Sequence, residues 1–141
     1  LIRLEKKPTE NTVAYDLYYK GLEQLNIRST ESLFKGIEYF EEAIEKDPEF
    51  ALAYAKLALS YFWLDEFKTD KSYTDIINVN ADKALLYDSR SDHSLIAKAL
   101  YYVHNREFEL AIPHLEKALE YKRNSSSVTL MLADLYHIKR S

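Results

Sequence analysis

The chain of 141 residues has no cysteine, two glycines, three prolines, one methionine and one tryptophan. The missing cysteine excludes a disulfide framework and any thiolate metal site, although it leaves the compartment open. Scarce glycine and proline exclude the turn-dense sequences of sandwiches and barrels, where these residues punctuate short strands. No apolar run approaches the roughly 20 residues that a membrane-spanning helix needs, so no membrane insertion of this segment is expected. Positive charge is not in excess: 19 Lys and Arg against 23 Asp and Glu give a net charge of -4. Short basic pairs such as Lys6-Lys7 and Lys122-Arg123 do not make the cationic surface that a nucleic-acid backbone requires. Nucleic acid is therefore not expected as a partner, and a cytoplasmic setting is favoured over a periplasmic one.

What is present forms helices. Hydrophobic residues make up 47% of the chain and aromatics 13%, enough to bury a core, while Ala, Leu, Glu and Lys dominate the composition. The expected class is all-α. The chain opens at Leu1 and its one methionine is Met131, as expected of a segment of a larger protein or a processed chain.

Punctuation along the chain marks seven helices. Pro8 to Thr12 supplies polar caps for a first helix running to about Asn26, and Ser29-Thr30-Glu31 opens a second. Asp47-Pro48 closes that second helix, because the proline ring disfavours the α conformation in the residue before it. A third helix is predicted from about Glu49 to Leu64. Ser72 to Asp75 reads as the capping-box-like start of a fourth, which ends near Tyr87. A fifth covers about Asp92 to His104, a sixth about Arg106 to Tyr121, and a seventh follows Asn124 to Ser127 and ends near Lys139.

Ala84-Leu85-Leu86 and Ala118-Leu119-Glu120 close successive helix pairs 34 residues apart. Within Asp92 to Ser125, Leu95, Ala99 and Tyr102 lie on the first helix and Ala111, Leu115 and Ala118 on the second. This resembles the tetratricopeptide repeat, with its large-small-aromatic and small-large-small signatures. The preceding unit carries Tyr54, Leu57, Ala58 and Tyr61, then Ile77, Ala81 and Ala84 after about seven extra residues. The first unit carries Leu17, Gly21, Gly36, Phe40, Ala43 and Pro48. The resemblance implies a right-handed superhelical solenoid of antiparallel helix pairs over residues 11–141, after an N-terminal extension of residues 1–10. Its approximate units are 14–50, 51–91 and 92–125, with a partial unit at 126–141. It also implies close packing at small residues: Gly21, Ala58, Ala99 and Ala133 where the helices of a pair cross, and Gly36, Ala43, Ala84, Ala111 and Ala118 on the second helices. The stretch Ala14 to Gly21, followed by Gly36 to Ile44, is similar to tetratricopeptide regions of bacterial adenylate cyclases and transcription regulators.

Function then lies on a surface. The third helix is apolar almost all round, and its second stripe includes Leu52, Leu59, Phe62 and Trp63. In the family this stripe lines a concave groove that takes peptides or helices, here with Tyr15, Tyr18 and Leu22 from the first helix and Ile96, Leu100 and Val103 from the fifth. The implied function is a protein-protein interaction scaffold whose ligand is a protein or peptide. The alternative is a sensory or dimerising region of a bacterial signalling enzyme or transcription regulator. Some members clamp a C-terminal carboxylate with Lys, Arg and Asn; this chain has Tyr18, Leu22, Lys56, His93 and Ala97 at those places, so that clamp is essentially missing.

No cofactor, metal site or enzyme activity is expected. His93, His104, His114 and His137 read as solvated residues near helix ends, and no His-Glu-x-x-His, phosphate loop or elbow serine occurs. Val128, Met131, Leu132, Leu135 and Ile138 make an apolar stripe on the seventh helix, widened by Leu130, from which self-association is predicted.

Overall fold

A computed structural model describes residues 8–140. Most of the expected N-terminal extension, including residues 1–7, lies outside the described residues. The described chain is helical: α1 Thr12–Ile27, α2 Thr30–Lys46, α3 Ala51–Glu66, α4 Thr74–Tyr87, α5 Asp92–His104, α6 Phe108–Tyr121 and α7 Ser126–Arg140.

Local chemistry sets the helix ends. The Asn11 side chain accepts the Ala14 amide at 2.9 Å, and Ser29 and Ser32 cap each other's amides at 2.8 and 3.0 Å. These bonds satisfy donors that a helix start otherwise leaves free. Two expected starts move inward by two residues. Phe50, fully buried, occupies the cap position of α3. Arg106 lies in the left-handed region at φ 59°, so α6 begins only at Phe108.

Three core clusters each join three successive helices. Ala14, Phe40 and Leu57 belong to the first, Ala58, Ala81 and Ala97 to the second, and Ala99, Leu115 and Leu132 to the third. Helix α3 serves two clusters, Leu57 facing one and Tyr54 the other, which is why its sequence is apolar on every side. Helices α1 and α2, α3 and α4, and α5 and α6 pack as pairs, and α3 and α5 lie against each other while α1 and α3 barely touch. Ala55 and Ala97, both buried in the α3–α5 cluster, permit that close approach.

Small residues occupy the tightest points. Ala43, Ala58, Ala84, Ala99, Ala111 and Ala118 have no exposed surface, and Gly21 and Gly36 are buried. A Cβ on Gly21 would sit 2.5 to 2.8 Å from three ring atoms of Phe40, and one on Gly36 would lie 3.2 Å from the Gly21 carbonyl oxygen. Ala133 is the exception: it is exposed, because no helix among the described residues covers that face of α7.

The long turn between α3 and α4 corrects two expectations. Tyr73 precedes α4 without any side-chain cap, so the capping box expected at Ser72 to Asp75 does not form. The amides of Ser72 and Tyr73 instead donate to the Asp65 carboxylate at 3.0 and 2.9 Å. His104, expected in solvent, is 6% exposed; its Nε2 donates to Asp65 at 2.7 Å and its Nδ1 lies 3.4 Å from the Thr74 hydroxyl. Asp65 has no exposed surface. Burial pushes its carboxyl up, but the two amides and His104 together hold it below the ordinary carboxylate range.

The packing leads to three expected outcomes. Gly21→Ala should lower stability by about 1–3 kcal/mol through overpacking against Phe40, exceeding the roughly 0.5–1 kcal/mol that alanine gains in a helix interior; urea denaturation at or above wild-type stability would contradict it. Asp65→Ala should cost about 3–5 kcal/mol, because it strips a buried partner from His104 and two amides. The depressed carboxyl stabilises the fold above its unfolded value and loses that contribution as pH falls through its folded value. The acid loss of stability between about pH 5 and pH 2 should therefore be shallower in Asp65→Asn than in wild type, measured by urea titration at each pH.

Candidate functional site

The first helices of the pairs, α1, α3 and α5, carry the residues expected to line a groove. Seven of them are half-buried: Tyr15, Leu22, Leu52, Leu59, Trp63, Ile96 and Val103. They combine apolar contact area with partial access, as binding surfaces do.

Three others lie in the core instead of lining a groove. Tyr18, Phe62 and Leu100 are 6%, 7% and 6% exposed. The Tyr18 ring lies 5.0 Å from Phe50 and 5.7 Å from Phe40, and burial pushes its phenol well above the ordinary tyrosine value. Phe62 packs edge-on to Trp63 at 5.6 Å and near the His104 ring at 6.2 Å. Phe62 and Leu100 are enclosed because the alanines on α3 and α5 bring those helices together. Tyr19, one residue on, is the exposed tyrosine of this pair; its hydroxyl meets that of Tyr15 at 3.1 Å. Its i, i+4 spacing from Tyr15 was the available signal.

At one end of this surface, the Arg28 guanidinium lies 4.1 Å from the centre of the Trp63 ring. Arg28 follows α1 in the left-handed conformation at φ 63°, and its amide bonds the Gln24 carbonyl at 3.4 Å. Below it, the Trp63 indole N–H is buried and has no hydrogen-bond partner among the described residues. A cation over an indole face is attractive by about 0.5–2 kcal/mol, so Arg28 holds one face of the ring.

The opposite end opens into a cleft of about 560 Å³ bordered by Leu52, Asp92, His93 and Lys122. Lys56 stands next to it. Burial pushes the Lys56 ammonium down, with Asp92 opposing and Lys122 reinforcing the shift. Burial likewise pushes His93 down, and Lys56 adds to the effect. Lys56, His93 and Lys122 thus share this end with Asp92, and Glu10, Asp47, Glu49, Asp88 and Arg90 also border the cleft, so its lining mixes both signs of charge.

His114 Nδ1 lies 3.0 Å from the Leu110 carbonyl oxygen and its ring 5.3 Å from Tyr102, while His137 is exposed. Among the described residues no three His, Asp or Glu side chains are grouped to hold a metal ion, and no helix is long and apolar enough to cross a membrane.

No family model and no curated protein matches this sequence. Solved structures do. The chain is similar to the first TPR of Spaghetti (RPAP3) bound to the HSP90 peptide SRMEEVD, at 16% identity and TM-score 0.77, covering 94% of this chain and 100% of that one. It is also similar to the first TPR domain of the human RPAP3 protein, at 16% identity and TM-score 0.74, covering 90% and 92%. A third is the second TPR domain of human RPAP3 in complex with the HSP70 peptide SGPTIEEVD, at 13% identity and TM-score 0.64, covering 87% and 98%. With such coverage the fold is the tetratricopeptide helical repeat.

Trp63 is the one tryptophan, so its fluorescence reports this site directly. Arg28→Ala should shift the emission to longer wavelength and raise acrylamide quenching, while Arg28→Lys should lie between the variant and wild type. Identical spectra for all three would mean that Arg28 does not cover the ring.

Proposed function

We propose that this chain is a protein-interaction module that holds a peptide or helix of a partner along α1, α3 and α5, as a segment of a larger polypeptide in the cytoplasm. The observation that carries the reading is the run of half-buried apolar and aromatic side chains, Tyr15, Leu22, Leu52, Leu59, Trp63, Ile96 and Val103, on three neighbouring helices. Binding itself is the activity, and no residue is assigned a catalytic role.

The solved domains with this fold carry acidic peptides, but a carboxylate-terminal ligand is not the favoured one here. Of the five clamp positions, Tyr18 is core, Leu22 is apolar and Ala97 is 2% exposed, leaving Lys56 and His93. The surface fits an amphipathic segment whose apolar side chains meet Leu59 and Trp63 and whose acidic residue reaches Lys56.

A second reading is a sensory or dimerising region of a bacterial signalling enzyme, adenylate cyclase-like, or of a transcription regulator. The exposed Leu130, Tyr136 and Ile138 on α7 favour it, since they offer a surface for self-association.

Titration with an amphipathic helical peptide of Leu, Ala and Glu, followed by Trp63 emission, tests the groove. Saturable binding is expected in wild type, weakened by roughly tenfold or more in Leu59→Lys, with little response to the peptide SRMEEVD. Equal affinity in a folded Leu59→Lys protein, or no binding to the helical peptide, would remove this reading.

A further inference from the structure

We propose that the corner formed by Arg28 and Trp63 receives the acidic first turn of a partner helix seated in the groove read on α1, α3 and α5, a reading on which this inference rests. The helix runs antiparallel to α1 and α3 and lays an Asp or Glu carboxylate on the Arg28 guanidinium.

The backbone gives the first reason. Arg28 ends α1 at φ 63°, a conformation that glycine adopts without steric cost and that commonly closes a helix with glycine. Arginine offers the turn no backbone advantage in exchange. What it adds is a guanidinium 4.1 Å from the centre of the Trp63 ring.

That guanidinium has no counter-ion. Arg28 is exposed, and among the described residues its side chain makes no hydrogen bond or ion pair; its contacts are the Trp63 ring and, through its amide, the Gln24 carbonyl. The acids nearest in sequence are already engaged: Glu31 lies 3.7 Å from Lys35, Glu66 3.5 Å from Lys71, and Asp65 2.7 Å from His104. The Trp63 indole N–H has no acceptor among the described residues either. Donors therefore outnumber acceptors at this corner, and a carboxylate supplies two oxygens in the plane that a guanidinium fork matches. The other end of the groove has no such imbalance, since Glu49, Asp88 and Asp92 line its cleft together with Arg90 and Lys122.

Helix ends set the direction. Arg28 caps the end of α1, and Trp63 lies in the last turn of α3, which closes at Glu66. Two helix C-termini, each with partial negative charge, thus face this corner. An antiparallel partner helix brings its N-terminus there, with the opposite partial charge, and Asp or Glu is the composition that a first helical turn favours.

Three helical peptides of Leu, Ala and Gln, acetylated and amidated, test this by calorimetry: one carries Glu in its first turn, one Glu in its last turn, and one Lys in its first turn. Wild type should bind the first-turn Glu peptide most tightly. Arg28→Glu should weaken that peptide by about fivefold, the scale of an exposed ion pair made repulsive. It should leave the last-turn Glu peptide unchanged and bind the first-turn Lys peptide more tightly than wild type does, a gain that a damaged fold cannot produce. Equal effects of Arg28→Glu on all three peptides, no effect on any, or weakening of the last-turn Glu peptide alone would each overturn the inference. In those cases, weaker binding in Leu59→Lys would still uphold the groove; wild type that binds none of the peptides would remove the groove and the inference together.

Discussion

Close approach between helices is the constraint on which this structure depends. Each pair crosses where one helix offers a glycine or alanine, and the Gly21–Phe40 contact shows how little room remains. The described helices enclose three small cores, linked because α3 and α5 each contribute buried residues to two of them. Dispersion contacts fall off steeply with distance, so an interval widened by one methylene on each helix would lose much of the attraction that holds it. The same constraint distinguishes the two gaps on the face formed by α1, α3 and α5. Alanines close the interval between α3 and α5, whereas α1 stands off from α3.

The Asp65–His104 contact solves a different problem. The turn from residue 67 to residue 73 is long and mostly exposed, and its backbone needs an anchor. A fully buried carboxylate that accepts two turn amides and a ring N–H satisfies all three donors at once and ties the turn to the end of α5. Such a group is costly to bury unless every partner is present. It thus specifies one conformation for the turn and carries the depressed acidity of Asp65 as its signature.

On the face formed by α1, α3 and α5, the cation-bearing ends and the apolar middle have different origins. Arg28 arrives over Trp63 because α1 ends in a left-handed residue, a conformation that turns the chain back toward α3. Lys56, His93 and Lys122 meet because the end of α6 and the start of α5 fall beside α3. A net acidic chain thus places a cation over Trp63 at one limit of its candidate groove and a mixture of cations and carboxylates at the other.

The sequence by itself determined the helices and their pairing. Polar caps, Asp47-Pro48 and the apolar period located seven helices to within about two residues, the uncertainty usual for helix ends, and the recurring small residues marked the crossings, because both signals are local to the chain. It also marked most of the half-buried row, from Tyr15 to Val103. What only the tertiary structure decided was the depth of each stripe. Tyr18, Phe62 and Leu100 have the same spacing as their half-buried neighbours, and their burial follows from how near the next helix comes. His104 read as a helix-end residue, although it stands four residues after Leu100 on a buried stripe, as Asp65 stands four after Tyr61. Spacing gives the direction in which a side chain points; whether it meets water, a ring or a buried carboxylate depends on residues far away in the chain, and that distance is set only when the helices pack.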